Sequence, residues 1–387
     1  MSSISLKGVV KRFYAEGNLL FEKKSDSNSI LALNHIYLDV KDGETLGVIG
    51  PTGCGKTTLL KVIAGLEKIE EGAVYFDDKD VTKLRPRERG VGMVFQNYAL
   101  YPHMVTRENL AFPFRLRKWP ESMIDERVEF TARTLGVGFR ELLGRMPRTL
   151  SQGQKQRVAL GRCIIREPNV FLMDEPLSNL DAKLRIKTRG EIKKLLRKFS
   201  ITTVYVTHDQ SEAVALSHRI AIMREGKIEQ VGTFDEIYNH PVNLFVAGFV
   251  GDPSMNFLPL ALVEKNKKLI MGDALCNIRI NVPSEWEKTL KEKKMVGKDV
   301  IFGMRPEHIE LGRETKLNNV FTFRAYVEDL EITLNRAYIF LKLGRHSLLV
   351  ALEHYKHLPS PGEMAEFTFP IKKGKVFDKE SELAIIN

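Results

Sequence analysis

Thr45–Lys61, TLGVIGPTGCGKTTLLK, decides the fold. Thr45–Ile49 is short, apolar and partly β-branched, which predicts a buried strand. Gly50, Pro51, Thr52, Gly53, Cys54 and Gly55 then turn sharply, and Lys56–Lys61 opens a helix with an apolar face. The spacing Gly50…Gly55-Lys56-Thr57 is G-x-x-x-x-G-K-[ST], a phosphate-binding loop. Glycines let consecutive backbone N–H groups turn inward and cradle anionic oxygens. The helix start adds unpaired donors and the positive end of its dipole. In this pattern Lys56 reaches the outer phosphates and Thr57 offers a hydroxyl to Mg²⁺.

The chain has 387 residues, enough for two or three domains. It is 43% apolar and 28% charged, an ordinary globular balance. The formal charge of +10 is spread along the chain, so a solvated basic surface is the first reading, ahead of nucleic acid or anionic lipid. Cys54, Cys163 and Cys276 are few, odd in number and far apart, which argues against a disulfide framework or a cysteine zinc cluster. No signal-peptide layout and no long uncharged apolar window is evident, so a soluble chain is expected, with any membrane role supplied by a partner.

Strand signals recur along the first 240 residues. Ser3–Arg12 reads as an edge strand. The rings of Phe13 and Tyr14 follow it, either to stack on a purine or to close the strand end. Ala15–Ser29 reads as a polar insertion, and Ala32–Val40, Gly72–Phe76 and Gly90–Phe95 as further strands. The last runs into Gln96 and the aromatic loop Asn97–His103, NYALYPH, which suggests a docking surface or switch. Helical spacing at Ile124–Leu135 and Arg140–Leu143 predicts a small helical insert. Ser151 is a natural N-cap for a helix running to about Arg166, and Gly153 lets the backbone approach an anion. Val170–Met173 is a buried strand closed by Asp174 and Glu175, where parallel sheets place ligands. Asp174 is suited to Mg²⁺ and Glu175 to polarising a water. Ser178–Asp181 opens a basic helix, and Thr202–Thr207 is another buried strand, ending at His208. Ile220–Met223 and Lys227–Gln230 form a hairpin.

Beyond about Tyr238 short β-rich runs dominate, which predicts small β-barrels, with one helix near Pro283–Lys294. His240–Met255, carrying Pro241 and Pro253, reads as the linker.

With Leu150–Gln154, LSQGQ, in place, the sequence resembles the ATP-binding subunits of ABC transporters. The phosphate loop, Gln96, LSQGQ, VFLMDE at 170–175, SNLD at 178–181 and His208 occur in that family's order. The resemblance implies a P-loop α/β ATPase with a mixed sheet over 1–240 and a helical subdomain over about 97–168. It implies an all-β OB-like (TOBE-type) regulatory domain over 241–387. It further implies that Phe13 stacks on adenine and that Gly50–Gly55, Lys56, Thr57 and Thr58 hold ATP. Thr57, Gln96 and Asp174 attend Mg²⁺. Ser151, Gly153 and Gln154 reach the γ-phosphate held by the other subunit of a homodimer, and Asp181 communicates across it. By the same resemblance Glu175 looks like the catalytic base, fixed by His208, with Gln96 contacting the lytic water.

Gln152 stands where the family usually has glycine; if that position needs positive φ, Gln costs energy there. RPRERGVGMVFQNYALYPHMVTRENLAF, FVAGFVGDPSMNFLP and FGMRPEHIEL resemble the carbohydrate-importer subgroup. That implies a peripheral subunit on the cytoplasmic membrane face. It would dock two transmembrane permease subunits near Gln96–His103 and be served indirectly by an extracytoplasmic solute-binding protein. The same ATPase could serve polyamine, iron, sulfate or phosphonate. A soluble nucleic-acid machine is the other alternative, opposed by the lack of a fused second ATPase, a long coiled coil or a basic–aromatic stripe in the tail.

Overall fold

A computed structural model of the chain describes residues 2–14, 29–312, 319–355 and 357–387. Apart from Ser29, the polar insertion Ala15–Ser29 lies outside these residues. The chain divides into two compact units between Phe234 and Asp235.

In the first unit the elements are β1 (Ile4–Tyr14), β2 (Ser29–Val40), β3 (Thr45–Ile49), α1 (Lys56–Ala64), β4 (Glu71–Phe76), β5 (Lys79–Asp80) and β6 (Val91–Val94). There follow α2 (Thr106–Arg115), α3 (Glu121–Leu135), α4 (Gln152–Ile164), β7 (Val170–Asp174) and α5 (Ala182–Phe199). The unit closes with β8 (Thr202–Val206), α6 (Gln210–Leu216), β9 (Arg219–Arg224) and β10 (Lys227–Gly232). The central sheet runs β10-β9-β3-β8-β7-β6, parallel except for the β9–β10 hairpin. Every residue of β3, β7 and β8 is buried. That is why these strands read as continuous apolar or β-branched runs without alternation: both faces are covered.

One face packs α1 (Leu59, Leu60, Ile63) and a second sheet, β2-β1-β4-β5, into a common core. The other packs Phe171, Met173 and Tyr205 against α4 and α5 through Leu160, Ile192 and Leu195. The helical insert has its own core, with Leu110, Ile124, Val128, Phe139 and Val158 fully or almost fully buried.

Two expectations are corrected, and one helix had no expectation. β1 is not an edge strand, because it pairs antiparallel with both β2 and β4. Its alternation reflects one covered face rather than an open edge. Arg140–Leu143 is only a short 3₁₀ turn over Arg140–Leu142. Helix α2 carries Pro113 in its last turns, a residue that masks the helical pattern.

The second unit contains α7 from its Asp235 onward (Phe234–Asn239), α8 (Leu244–Phe249), β11 (Asn256–Lys265), β12 (Lys268–Asp273), β13 (Ile278–Asn281), α9 (Ser284–Glu292) and β14 (Asp299–Met304). It continues with β15 (Glu310–Leu311), β16 (Val320–Ile332), β17 (Ala337–Leu343), β18 (His346–Leu352), β19 (Met364–Pro370), β20 (Lys375–Asp378) and β21 (Ala384–Ile386). Two antiparallel sheets, β13-β12-β11-β14-β20-β21 and β15-β19-β16-β17-β18, share one apolar core that also takes Trp286 and Leu290 of α9.

The stretch His240–Met255 is not a bare linker. It holds α8, whose Val246 and Ala247 are fully buried. The buried Arg305 binds it: its guanidinium donates to the carbonyls of Tyr238 (2.9 Å), Ala247 (3.2 Å) and Val250, and lies 4.0 Å over the Tyr238 ring. Burial pushes the Arg305 pKa down to about 10, still far above neutrality, so the cation persists. Replacing it strands several buried carbonyls. Arg305→Met is expected to cost about 3 kcal/mol and to open 240–255 to protease well before the rest of the tail, read by limited proteolysis and thermal melting.

Candidate functional site

The parallel strands end together, and their C-terminal ends carry the site. From β3 the loop 50–55 leads into α1, capped by Gly55 with no side chain closing the helix start. The N–H groups of Gly55, Lys56, Thr57 and Thr58 make no backbone–backbone hydrogen bond among the described residues, though that of Lys56 is directed at the Cys54 sulfur, so the helix start presents donors to an incoming anion. Pro51, Thr52 and Gly53 are exposed, whereas Cys54 and Lys56 are buried. The Lys56 ammonium folds back on the loop, donating to the carbonyls of Gly50 and Pro51 at 2.9 Å and lying 3.8 Å from Cys54 Sγ. Burial raises the Cys54 thiol pKa, with Lys56 opposing the rise.

Thr57 donates its hydroxyl to Asp174 Oδ1 at 3.0 Å, bridging the start of α1 to the end of β7. Burial raises the Asp174 pKa; the Thr57 hydrogen bond lowers it and the neighbouring Glu175 charge raises it. A hydroxyl and a carboxylate at the mouth of a phosphate loop form a hard oxygen pair, which suits Mg²⁺ and not a soft ion.

Glu175 adopts a left-handed backbone, φ 45°. Such strain in a non-glycine residue survives only where its surroundings enforce it. Here Glu175 N–H donates to the Val206 carbonyl at 2.9 Å, and the Ser178 hydroxyl donates to the Glu175 carbonyl at 2.9 Å. The kink aims the carboxylate so that Oε2 lies 3.2 Å from His208 Nδ1 and 3.4 Å from Gln96 Nε2. Residues from the ends of β6, β7 and β8 thereby meet. Below His208, the buried Glu212 accepts from Tyr205 Oη (2.8 Å) and Thr207 Oγ1 (2.9 Å) and so fixes the end of β8.

One contact escaped the sequence reading. Asn179 Nδ2 donates to the Gln96 carbonyl at 2.9 Å, tying the strand-end turn to the loop after β6. Asn179 lies inside SNLD, but no local pattern signals a bond across more than eighty residues. The loop itself is strained, with Tyr98 at φ 65° and Ala99 at 46°. It lines a cavity of about 320 Å³ together with Met93, Phe112, Arg162 and Arg166.

Other expected residues stand apart. Phe13 and Tyr14, at the end of β1, are equally exposed at 38%, with the Lys11 ammonium 4.9 Å over the Phe13 ring. Ser151 N-caps α4 in a capping box, donating its N–H to Gln154 Oε1 at 2.9 Å and accepting the Gln154 N–H at 3.4 Å. Asp181 caps α5, accepting the Leu184 N–H at 2.9 Å. Among the described residues no hydrogen bond or ion pair joins Ser151, Gly153, Gln154 or Asp181 to residues 50–58. A Cβ on Gly153 would fall 2.9 Å from Leu184 Cδ2, so a larger residue there would have to displace the Leu184 side chain of α5. Gln152 is the first residue of α4 and has no positive φ. Glutamine in place of the family's usual glycine therefore incurs no strain penalty.

A glycine loop opening a helix, a hydroxyl–carboxylate pair at its mouth and a strained glutamate held by a histidine define a nucleoside-triphosphate-binding domain of the P-loop class. Residues 33–178 match the ABC transporter family, and residues 251–309 match the MalK OB fold domain. An uncharacterized ABC transporter ATP-binding protein, YurJ of Bacillus subtilis, is 45% identical over 95% of this chain and 99% of its own length. The trehalose/maltose import ATP-binding protein MalK of Thermococcus litoralis is 44% identical over 92% of this chain and 96% of its own. The dimeric structure of the ATP-binding cassette MJ0796 in a post-hydrolysis state, bound to ADP and Pi, matches at 30% identity with a TM-score of 0.51. It covers 59% of this chain and 98% of that one. The chain belongs to the ATP-binding subunits of ABC transporters, the ATPases of that family, and carries a MalK-type OB domain in its tail.

Because Gln152 is unstrained, Gln152→Gly is expected not to raise the ATPase rate. It should lower stability by about 0.5 kcal/mol through the added flexibility of the first helical turn, measured by steady-state turnover and thermal melting.

Proposed function

We propose that this chain is the ATPase of a carbohydrate importer and that it works as a homodimer closed by ATP. The observation that carries the chemistry is the Glu175 carboxylate, held in a left-handed kink between His208 and Gln96 beside the Thr57–Asp174 pair. The N–H donors of residues 55–58 bind the phosphates, and Lys56 exchanges the Gly50 and Pro51 carbonyls for phosphate oxygen. Thr57 and Asp174, joined by Gln96 from the Glu175 side, would hold Mg²⁺, which when bound neutralises phosphate charge. Glu175 accepts the proton of the attacking water, His208 keeps its carboxylate in line, and Gln96 orients the water.

Ser151, Gly153 and Gln154 make no described bond to their own phosphate loop, which fits a role against the nucleotide of a twin chain. Phe13, with Tyr14 as alternative, offers a stacking face for adenine, and Asp181 lies at the start of α5 to link the two halves. The cavity beside Tyr98 and Ala99 suits a short segment of one permease subunit, so the two chains of the dimer would dock two. Among the described residues no helix is long and apolar enough to cross a membrane, in keeping with a peripheral subunit on the cytoplasmic face. Carbohydrate follows from the relatives, whose names include trehalose/maltose and oligosaccharide import.

Glu175→Gln is expected to retain ATP binding, to lose at least about a hundredfold in turnover, and to accumulate as an ATP-dependent dimer in sedimentation. Turnover near that of the unaltered chain would remove Glu175 from the role of base, and a monomer with ATP bound would remove the shared site. With the co-purifying membrane subunits in lipid, a sugar-loaded binding protein should stimulate ATP hydrolysis. Stimulation only by polyamine, iron, sulfate or phosphonate would exclude carbohydrate.

A further inference from the structure

The second unit holds a group of metal-ligating side chains that the ATPase reading does not use. We propose that Asp273, Cys276 and His346 bind a divalent transition-metal ion of the zinc class. The carboxylate, thiol and imidazole atoms of these residues all lie within 4.8 Å of one another. Asp273 ends β12, Cys276 sits in the turn before β13, and His346 begins β18. The three residues therefore come from the two different sheets of the tail.

The local geometry is built for such a site. Asp273 Oδ1 accepts the Leu275 N–H at 3.0 Å, which folds the turn and brings Cys276 round. His346 Nε2 lies 3.0 Å from Asp273 Oδ2. A Cβ on Gly344 would fall 2.5 Å from Cys276 Sγ, so only glycine leaves room for the sulfur beside the β17–β18 turn. The Arg345 N–H donates to Cys276 Sγ at 3.4 Å, the backbone support that a ligating thiolate needs. Asp273 is buried and the His346 side chain only 10% exposed, while Leu275 and Cys276 open the turn to solvent, giving an entry path.

A tetrahedral ion with oxygen and nitrogen at about 2.0 Å and sulfur at about 2.3 Å spaces its ligands roughly 3.3–3.5 Å apart. His346 and Asp273, 3.0 Å apart, are already near that spacing, and Cys276, within 4.8 Å of both, closes by side-chain rotation. Carboxylate, imidazole and thiolate together favour zinc over magnesium or calcium, with water completing the fourth position. On binding, the Cys276 thiol releases its proton to solvent and His346 presents Nε2 without one. The competing group is Arg345, whose Nη2 lies 2.9 Å from Asp273 Oδ2. It is 60% exposed and swings outward as the ion enters, so it weakens binding without forbidding it. The bound ion would staple the β12–β13 turn to the β17–β18 turn.

Co²⁺ is the probe, added to the reduced full-length chain without nucleotide. The expected result is one ion per chain, with a thiolate-to-cobalt charge-transfer band and the intense visible bands of tetrahedral coordination. Zn²⁺ should abolish both and should raise the melting temperature of the tail. Cys276→Ser, nearly isosteric, is expected to lose the charge-transfer band while melting normally without metal. His346→Asn should lose the tetrahedral visible bands, and Arg345→Gln should bind Co²⁺ several-fold more tightly. No charge-transfer band in the folded chain overturns the proposal. So does a band that survives Cys276→Ser, since it would come from Cys54 or Cys163.

Discussion

The site depends on how closely the backbone of the phosphate loop approaches its neighbours. A Cβ on Gly50 would sit 2.1 Å from the Met223 carbonyl oxygen, and one on Gly55, at φ 106°, would sit 2.4 Å from the Ala32 carbonyl oxygen. The loop is therefore wedged between β9 and β2, strands of two different sheets. Its curvature is imposed by protein packing, so the inward-facing donors are organised in the absence of phosphate. Without phosphate the Lys56 ammonium is satisfied by two loop carbonyls. The glycines are needed as much for the protein that surrounds the loop as for the anion it is shaped to hold.

A second constraint is placed on Glu175. Its strained backbone is anchored from both sides, by the β8 carbonyl of Val206 and by the Ser178 hydroxyl. The adjoining strand end is fixed by Glu212, whose buried carboxylate takes two hydroxyl donors. Asn179 extends the same framework to Gln96. A movement of the loop after β6 thus reaches the carboxylate through Gln96 Nε2, 3.4 Å away, and reaches the turn that follows the glutamate through Asn179. This gives a physical path by which an event at that loop is felt at the carboxylate.

Much of this was legible in the residues because the strongest signals are local. The strand–loop–helix of 45–61 and the runs VFLMD and TTVYV are continuous apolar segments buried on both faces, and their ends carry the polar groups that meet. What escaped was long-range or masked. The double pairing of β1 depends on partners that alternation does not name. Helix α2 was hidden by Pro113, and α8 by the prolines around it. Arg305, which makes the presumed linker part of the tail's interior, looks like any arginine in FGMRPEHIEL. The grouping of Asp273, Cys276 and His346 joins residues seventy positions apart and leaves no sequence spacing to find.

The single apolar core beneath both tail sheets has a mechanical consequence. Leu260, Met271 and Phe302 of one sheet and Val327, Ile339 and Phe367 of the other belong to the same buried cluster. Neither sheet can melt or slide without exposing the other's side chains. The tail must therefore denature cooperatively, and an effector gripping any one of its hairpins stabilises all of it.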